Sequence, residues 1–244
     1  PATDEQLKEA AGDGHGPLAA WLAMKDIPDV QFAEKWPEAS RPALQWLEKH
    51  KAWQQSRKGD IPGNWNGRAG TLTWTTSGHG VATPVASSEF QIMPEGDQVI
   101  ASVLAPGYTS SRFSAKDRGV VASSPFKVNG GKLWVRASGS NAGVRYVVQN
   151  YPRSGLIYPK SELAGDRPRW IEWNLDYWKG ESIHIEAWTA PDAPIETGSG
   201  DHHSFSLLEV AYQETPGPVP PEPGVPLQRF TGAHFNPASR ADLL

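Results

Sequence analysis

A strict alternation in the segment Ser182–Trp188 constrains the fold more than any other feature of the chain. One side of this segment is apolar and the other carries polar or amphipathic groups: Ile183, Ile185 and Ala187 against His184, Glu186 and Trp188. Side chains of an extended strand alternate between two faces, so this pattern predicts a β-strand with one face in a core and the other in water.

Similar short segments recur between residue 59 and residue 213, separated by Gly-, Ser- and Asn-rich turns. We predict strands at Phe90–Ile92, Val99–Leu104, Val120–Ala122, Phe126–Val128, Lys132–Ala137, Val144–Gln149, Trp170–Asn174, Ile183–Trp188 and Phe205–Tyr212. Asn129–Gly131 and Ser140–Gly143 are the expected hairpin loops. Because no long helix separates these strands, the expected fold class is mainly β, an antiparallel β-sandwich of the jelly-roll type.

The two ends of the chain differ from this β-rich middle. Residues 1–58 are expected to form an N-terminal helical segment, whose last helix opens at Ser40, accepts Pro42 in its first turn and runs to Trp53. Residues 214–244 hold a Pro-rich linker and a C-terminal tail. The predicted domains are therefore 1–58, 59–213 and 214–244. We expect the chain to be a piece of a larger exported protein whose targeting signal lies outside it.

Composition excludes several classes of site. The chain has no Cys, which rules out disulfides, thiolate metal sites and a Cys nucleophile within it. A net charge of −4 gives no reason to expect nucleic acid as a partner. No apolar run approaches the roughly 20 residues of a membrane helix. The 11 Trp residues are an unusual number, and such rings either fill a core or stack on flat ligands.

Three stretches in the second half of the β-rich region follow a family pattern. GGKLWVRASGSNAGVRYVVQNYPRSGLIYP (Gly130–Pro159) precedes RWIEWNLDYWKGESIHIEAWTAP (Arg169–Pro191) and HHSFSLLEVAYQ (His202–Gln213). Their order resembles the galactose-binding-like jelly roll. With DRGVVASSPF (Asp117–Phe126), the chain is similar, more narrowly, to the jelly-roll domain of large planctomycete multidomain proteins that also carry cytochrome-c-like domains.

This resemblance implies an extracellular or periplasmic setting and a role with glycans, and jelly rolls of this kind often hold a structural Ca²⁺. The chain departs from the pattern at two places. Leu208 stands where the closing strand of the family usually carries Asp, and the acid expected near Trp188–Pro191 is displaced to Asp192.

Proteins bind sugars by stacking an aromatic ring on a C–H face and by reaching the hydroxyls with polar side chains. The richest cluster for this chemistry lies on one predicted strand and the loop after it: Arg145, Gln149, Asn150, Tyr151, Arg153 and Tyr158. Arg145 and Gln149 fall on the same face of that strand. The alternative is that the two tyrosines anchor the loop to the core while Arg145 is a solvated strand residue.

Two further loops carry candidate ligand contacts. Tyr108 and Arg112 lie in a loop that is expected to be exposed and could form the other wall of a site. His202 and His203 follow Asp201 in a polar loop. Neighbouring residues of an extended chain point in opposite directions, so one His is a candidate for ligand contact but the pair is a poor metal site. A plain surface loop is the alternative in both cases.

These residues favour a non-catalytic carbohydrate-binding module for a plant or algal polysaccharide, without a cofactor. The sequence contains no motif of a nucleotide-binding or hydrolytic site, and nothing in it pairs the two carboxylates that glycoside hydrolysis requires. A domain that docks neighbouring domains of the parent chain is the second hypothesis, and a glycoside hydrolase is the third. A concave surface with exposed rings favours the first, and a flat apolar patch favours the second.

Overall fold

The computed structural model of the protein describes residues 23–56, 64–65, 72–85, 89–92, 100–104, 107–149, 160–190 and 202–221. The chain divides into two units. One comprises Arg57–Gly217, and the other comprises the flanking segments Pro1–Ser56 and Pro218–Leu244. The predicted domain boundaries at residues 58 and 213 stay predictions.

A long helix, α1, runs from Asp29 to Ser56 with Pro37 and Pro42 in its interior. The predicted helix start at Ser40 was therefore wrong. Each proline removes one N–H from the helical hydrogen-bond ladder. The apolar positions nevertheless form one buried stripe along the helix: Phe32, Trp36, Trp46 and Trp53. Burial of this stripe stabilises the helix despite the missing bonds. Residues 1–22 of the predicted N-terminal helical segment lie outside the described residues.

No described helix has the length and apolarity that crossing a membrane requires.

Antiparallel strands make up the described part of Arg57–Gly217, which confirms the mainly β class. In chain order the strands are β1 Asn64–Trp65, β2 Trp74–Ser77, β3 Glu89–Ile92, β4 Ile100–Leu104, β5 Tyr108–Thr109, β6 Val120–Ser123, β7 Phe126–Lys127, β8 Lys132–Val148, β9 Lys160–Asn174, β10 Ser182–Thr189 and β11 Ser204–Gln213. Short 3-10 turns occupy His79–Val81 and Asp176–Trp178. The large curled sheet has the order β1-β11-β8-β10-β6-β2, with β5 on β11, β7 on β10 and β9 on β8, whereas β3 and β4 pair separately.

The central strand β8 serves both halves of the large sheet because it bends between Ala137 and Ala142. Its pairing with β9 shifts register on both sides of Gly139, and Asn141 adopts a left-handed conformation with φ 46°. Up to the bend β8 pairs with β11, and beyond it β8 pairs with β10. The hairpin loop predicted at Ser140–Gly143 was therefore wrong, because these turn-forming residues bulge one strand instead of reversing the chain.

The other predicted hairpin loop, Asn129–Gly131, was also wrong as a hairpin. It joins β7 to β8, but each of these strands pairs with β10 and not with the other, so that Ile183 lies between Phe126 and Val148. The segment carries the chain from one side of β10 to the other. Gly131 makes this crossing with φ 81° and donates its N–H to Asp176 Oδ1 at 2.7 Å.

One hydrophobic core lies on the inner face of the curled sheet. Before the bend the odd-numbered Leu133 and Val135 enter it, and after the bend the even-numbered Val144 and Tyr146 enter it. The bend thus changes the phase of the alternation and keeps both halves of β8 facing the same core. The apolar side of β10, predicted from its alternation, also lies in this core: Ile183, Ile185 and Ala187. This arrangement agrees with the predicted β-sandwich.

Tyr146 places a hydroxyl group within this core. Its hydroxyl accepts a hydrogen bond of 2.8 Å from Trp178 Nε1, and its ring meets the Trp173 ring edge-on at 5.6 Å. Burial raises the pKa of Tyr146, and the hydrogen bond from Trp178 partly opposes this rise.

We expect the free energy of unfolding to fall above about pH 10, the pKa of tyrosine in an unfolded chain. Because the folded-state pKa is raised, the stabilising contribution is complete below the unfolded pKa and is lost as pH rises through the folded one. Tyr146→Phe should flatten the dependence in denaturant titrations between about pH 8 and about pH 11. Tyr177→Phe, at an exposed ring, is the matched control. Equal slopes in Tyr146→Phe and wild type would contradict the assignment.

We expect Gly131→Ala to destabilise the fold by about 1–3 kcal/mol, because it combines an unfavourable φ with a steric clash. A Cβ at Gly131 would lie 2.0 Å from the Gln213 carbonyl oxygen. Gly180→Ala is the control, since Gly180 has φ 91° but no atom within 4 Å of the added Cβ. Urea unfolding should show the larger loss at Gly131, and equal losses would mean that the close approach to Gln213 is not a constraint.

Candidate functional site

The polar face is our name for the outer side of β2, β6, β10 and the second half of β8. Cross-strand pairing aligns its side chains in rows. The first row contains Ser77, Val120, Trp188 and Gly143, and the second contains Thr75, Ala122, Glu186 and Arg145. His184 and Val147 form the third row, in which Val147 is buried and belongs to the core cluster. Paired residues of neighbouring strands point to the same side of a sheet, so these groups share one surface.

A buried ion pair lies at the centre of the polar face. Arg145 and Glu186 are directly paired across β8 and β10. Arg145 Nε donates to Glu186 Oε2 at 2.9 Å, and Arg145 Nη2 lies 2.8 Å from the same oxygen. Their side chains are only 3% and 2% exposed. An ion pair buried this deeply is costly to break from one side, because the remaining charge keeps its desolvation penalty.

His184 connects this ion pair to the surface. Its Nε2 lies 2.8 Å from Glu186 Oε1, and its Nδ1 contacts the side-chain amide nitrogen of Gln149. An amide N–H that donates to Nδ1 is compatible with a ring N–H at Nε2 that donates to Glu186. The His184 side chain is 14% exposed and Gln149 is exposed. The four residues therefore form a hydrogen-bonded series from a buried cation to a solvent-facing amide.

Trp188 lies beside the ion pair but offers no open ring face. The Arg145 guanidinium carbon lies 5.3 Å from the centroid of its ring. A Cβ at Gly143 would approach the ring to 2.5 Å, and Trp188 is 7% exposed. The expectation of a wet outer side on β10 was thus wrong for Glu186 and Trp188, since the charge pair and the cation-π contact draw both into a closed cluster.

The structure brings together part of the predicted ligand-binding set. Arg145 contacts Glu186, Gln149 contacts His184, and His184 in turn contacts Glu186, which agrees with the predicted placement of Arg145 and Gln149 on one face. Whether they bind a ligand stays a prediction. Asn150, Tyr151 and Tyr158, together with Arg153, lie outside the described residues.

The expected exposed loop at Tyr108 was wrong. Tyr108 forms β5, pairs with Leu207 and is buried in the core, where its ring lies 6.0 Å from that of Trp74. Burial raises the pKa of its hydroxyl. Arg112 is half-buried, donates to Thr83 Oγ1 at 3.1 Å and lies over the Phe113 ring. Neither residue contacts the polar face through any of these interactions.

The two neighbouring histidines point in opposite directions, as extended backbone predicts. His202 is exposed and its carbonyl accepts from Asn141 Nδ2 at 2.8 Å, whereas His203 is buried and its N–H donates to the Ala115 carbonyl at 2.9 Å. Within the described ranges no three His, Cys, Asp or Glu side chains come together as a metal site. A role for either histidine in ligand binding stays a prediction.

Sequence reasoning missed His184, Glu186 and Trp188 as site residues. The alternation of β10 already placed them on one face, and that signal could have nominated them. The missing information was the partner strand, since only the register between β8 and β10 sets Glu186 opposite Arg145.

Comparisons with known proteins add a distant likeness only. No family model matches the sequence, and no curated protein matches it. The glycoside hydrolase domain Spr0440, Endo-D, of Streptococcus pneumoniae R6 is 11% identical with a TM-score of 0.32, over 60% of this chain and 22% of that one. TmCBM61, solved in complex with β-1,4-galactotriose, is 11% identical with a TM-score of 0.34, over 58% of this chain and 88% of that one.

CBM29_1, a family 29 carbohydrate-binding module from Piromyces equi, is 10% identical with a TM-score of 0.29, over 59% of this chain and 92% of that one. The chain spans less than a quarter of the Spr0440 domain and most of each binding module. At these identities and TM-scores, the function of the chain has to be argued from its own side chains.

We expect Glu186→Gln to destabilise the fold by roughly 3–5 kcal/mol, because it leaves the Arg145 charge buried without its carboxylate. Replacing both residues, as in Arg145→Met with Glu186→Leu, should cost less than the single change, since no buried charge remains. Urea unfolding of the single and double variants measures both effects. A double variant less stable than Glu186→Gln would contradict this account of the pair.

Proposed function

We propose that the chain is a non-catalytic carbohydrate-binding module that holds a polysaccharide on the polar face through Gln149, which His184 positions. The contact series from Gln149 to Arg145 carries this proposal. Sugar hydroxyls are recognised by donors and acceptors held in fixed positions, and side chains already fixed before binding lose little entropy. Gln149 offers an exposed amide, and the buried Glu186 holds the imidazole that positions it.

The strands beside this series form a shelf that suits a sugar ring. Val120 and Ala122 are half-buried small side chains between β10 and β2, and Thr75 and Ser77 expose hydroxyl groups at the far edge. A pyranoside across these strands would rest its C–H groups on the small side chains. A longer glycan that extends from this unit would place hydroxyls of different sugar units near Gln149 and near the β2 hydroxyls.

The charges of the polar face fit binding better than catalysis. Glu186 is its central carboxylate, and it already accepts hydrogen bonds from Arg145 and His184. Both of its oxygens are thus occupied by protein partners, whereas a general acid needs a carboxyl oxygen within hydrogen-bond reach of the substrate. Glu186 is therefore a positioning residue, which holds His184 and Gln149 toward the ligand.

The resemblance to the jelly-roll domains of exported multidomain proteins supports a setting outside the cytoplasm. In this setting, extracellular or periplasmic, the module would attach neighbouring domains of the parent chain to a polysaccharide. Fractionation of the source cells, with the parent protein detected by an antibody against this chain, tests the location. Recovery in the cytoplasmic fraction would contradict it.

We expect Gln149→Ala to weaken polysaccharide binding about threefold to tenfold, the value of one hydrogen bond, and His184→Ala to weaken it less, because it removes only the contact that positions Gln149. Affinity electrophoresis measures this in gels containing galactan, xyloglucan, laminarin or agarose. Gln31→Ala is the matched control, since Gln31 is an exposed glutamine on α1, in the other unit.

Two outcomes count against the proposal. If both polar-face variants migrate like wild type in a gel that retards wild type, the ligand binds elsewhere on the chain. If the folded wild type is retarded by none of the polysaccharides, the binding function itself is wrong, and the docking hypothesis becomes the better one. Release of reducing sugar from any of these polymers would favour the glycoside hydrolase hypothesis instead.

A further inference from the structure

The polar face lacks an open aromatic ring among its described residues, but Tyr177 is such a ring nearby. Tyr177 lies in the 3-10 turn Asp176–Trp178 between β9 and β10 and is 85% exposed. Its neighbour Trp178 is buried and meets the Tyr177 ring edge-on at a centroid distance of 4.8 Å. Trp188, the aromatic residue of the polar face, is closed by Arg145 and Gly143.

The turn that carries Tyr177 is held from several directions. The Trp178 indole donates to Tyr146 in the core, and the Asp176 carboxylate accepts from the Gly131 N–H. The Asn174 side chain accepts from the Asp176 N–H at 2.8 Å, and the Gly180 N–H donates to the Val128 carbonyl at 2.7 Å. An exposed ring on such a fixed turn is pre-organised for contact, because little freedom is left to lose on binding.

The same backbone segment links Tyr177 to Gln149. The Glu181 N–H donates to the Trp178 carbonyl at 3.0 Å, and the Gln149 N–H donates to the Ser182 carbonyl at 2.8 Å. Tyr177 and Gln149 are therefore separated by one tight turn and one strand spacing, at most about 20 Å along this path. An oligosaccharide of a few sugar units spans such a distance.

We infer that Tyr177 is the aromatic platform on which a sugar unit of the bound polysaccharide stacks, while Gln149, positioned by His184, contacts a hydroxyl of a neighbouring unit. This inference rests on the proposed carbohydrate-binding function and adds a contact that the sequence did not nominate. The ligand class is an extended glycan whose pyranose rings present an apolar C–H face. A tyrosine ring matches that face, and its hydroxyl can bond to the rim of the sugar.

The polar groups near Tyr177 also suit a glycan ligand. Asn129, Asp176 and Lys179 are all exposed at this end of the sheet and offer an amide, a carboxylate and an ammonium group. Donors and acceptors on the turn that carries the ring and on the segment beside it suit a hydroxylated ligand. An apolar protein surface would instead require these polar groups to lose their water.

The test compares Tyr177→Ala, Tyr177→Phe and Tyr177→Trp with wild type in the polysaccharide gel that retards wild type most. We expect Tyr177→Ala to bind roughly tenfold more weakly. Tyr177→Phe should lose less and Tyr177→Trp should bind at least as well as wild type, because both keep a ring. Phe113→Ala is the control, since Phe113 is 73% exposed on a different loop. Thermal unfolding confirms that each variant is folded.

Each outcome decides a different point. Unchanged binding by Tyr177→Ala, with weakened binding by Gln149→Ala or His184→Ala, overturns the platform and leaves the proposed function standing. Equal losses for the Ala, Phe and Trp variants would also overturn stacking, because only the two aromatic replacements retain a ring. If folded wild type is retarded by none of the polysaccharides, the proposed function and this inference fail together.

Discussion

The bend in β8 is the constraint on which the rest of the β-sheet unit depends. A straight strand with unbroken alternation could not send Leu133 and Val135 into the core before the bend and Val144 and Tyr146 after it. The left-handed Asn141 and the register shifts around Gly139 supply the required change of phase. One strand therefore pairs with β11 in one half of the sheet and with β10 in the other.

The polar face follows from this change of phase. After the bend, the odd-numbered Gly143 and Arg145 point outward, and β10 sets Trp188 and Glu186 opposite them. Arg145 then neutralises Glu186 and closes one face of Trp188. A buried ion pair adds little net stability compared with apolar side chains, because of its desolvation cost. Its value here is positional, since Glu186 fixes His184 and His184 contacts Gln149.

Local patterns predicted the strands well, and long-range pairing could not be predicted. The alternation in Ser182–Trp188 identified β10 and its buried side, because a strand's period of two can be recognised from the sequence alone. Ser140–Gly143 looked like a hairpin loop because a bulge and a reverse turn draw on the same residue types. Tyr108 looked exposed because Gly, Thr and Ser surround it, yet pairing with β11 draws it into the core.

In the candidate site, too, local patterns were predictable and contacts between strands were not. Arg145 and Gln149 could be placed on one face by counting along one strand. Glu186 and His184 could not be joined to them without the register of β10, and Tyr177 could not be found because exposure of a single ring depends on the whole turn.

Cross-strand contacts of β8 test the central claim most directly. In NOE spectra of the isotope-labelled chain, we predict backbone contacts between Val135 and Val210 and between Val144 and Ala187 in the same molecule. We also predict contacts of β9 with both halves of β8, Val135 with Ile171 and Val144 with Ser161. Each half of β8 then has both edges paired with other strands, which leaves no edge for a hairpin between the two halves. Backbone contacts between residues 132–139 and 142–148 would instead show a hairpin, and the account of the core and of the polar face would then be wrong.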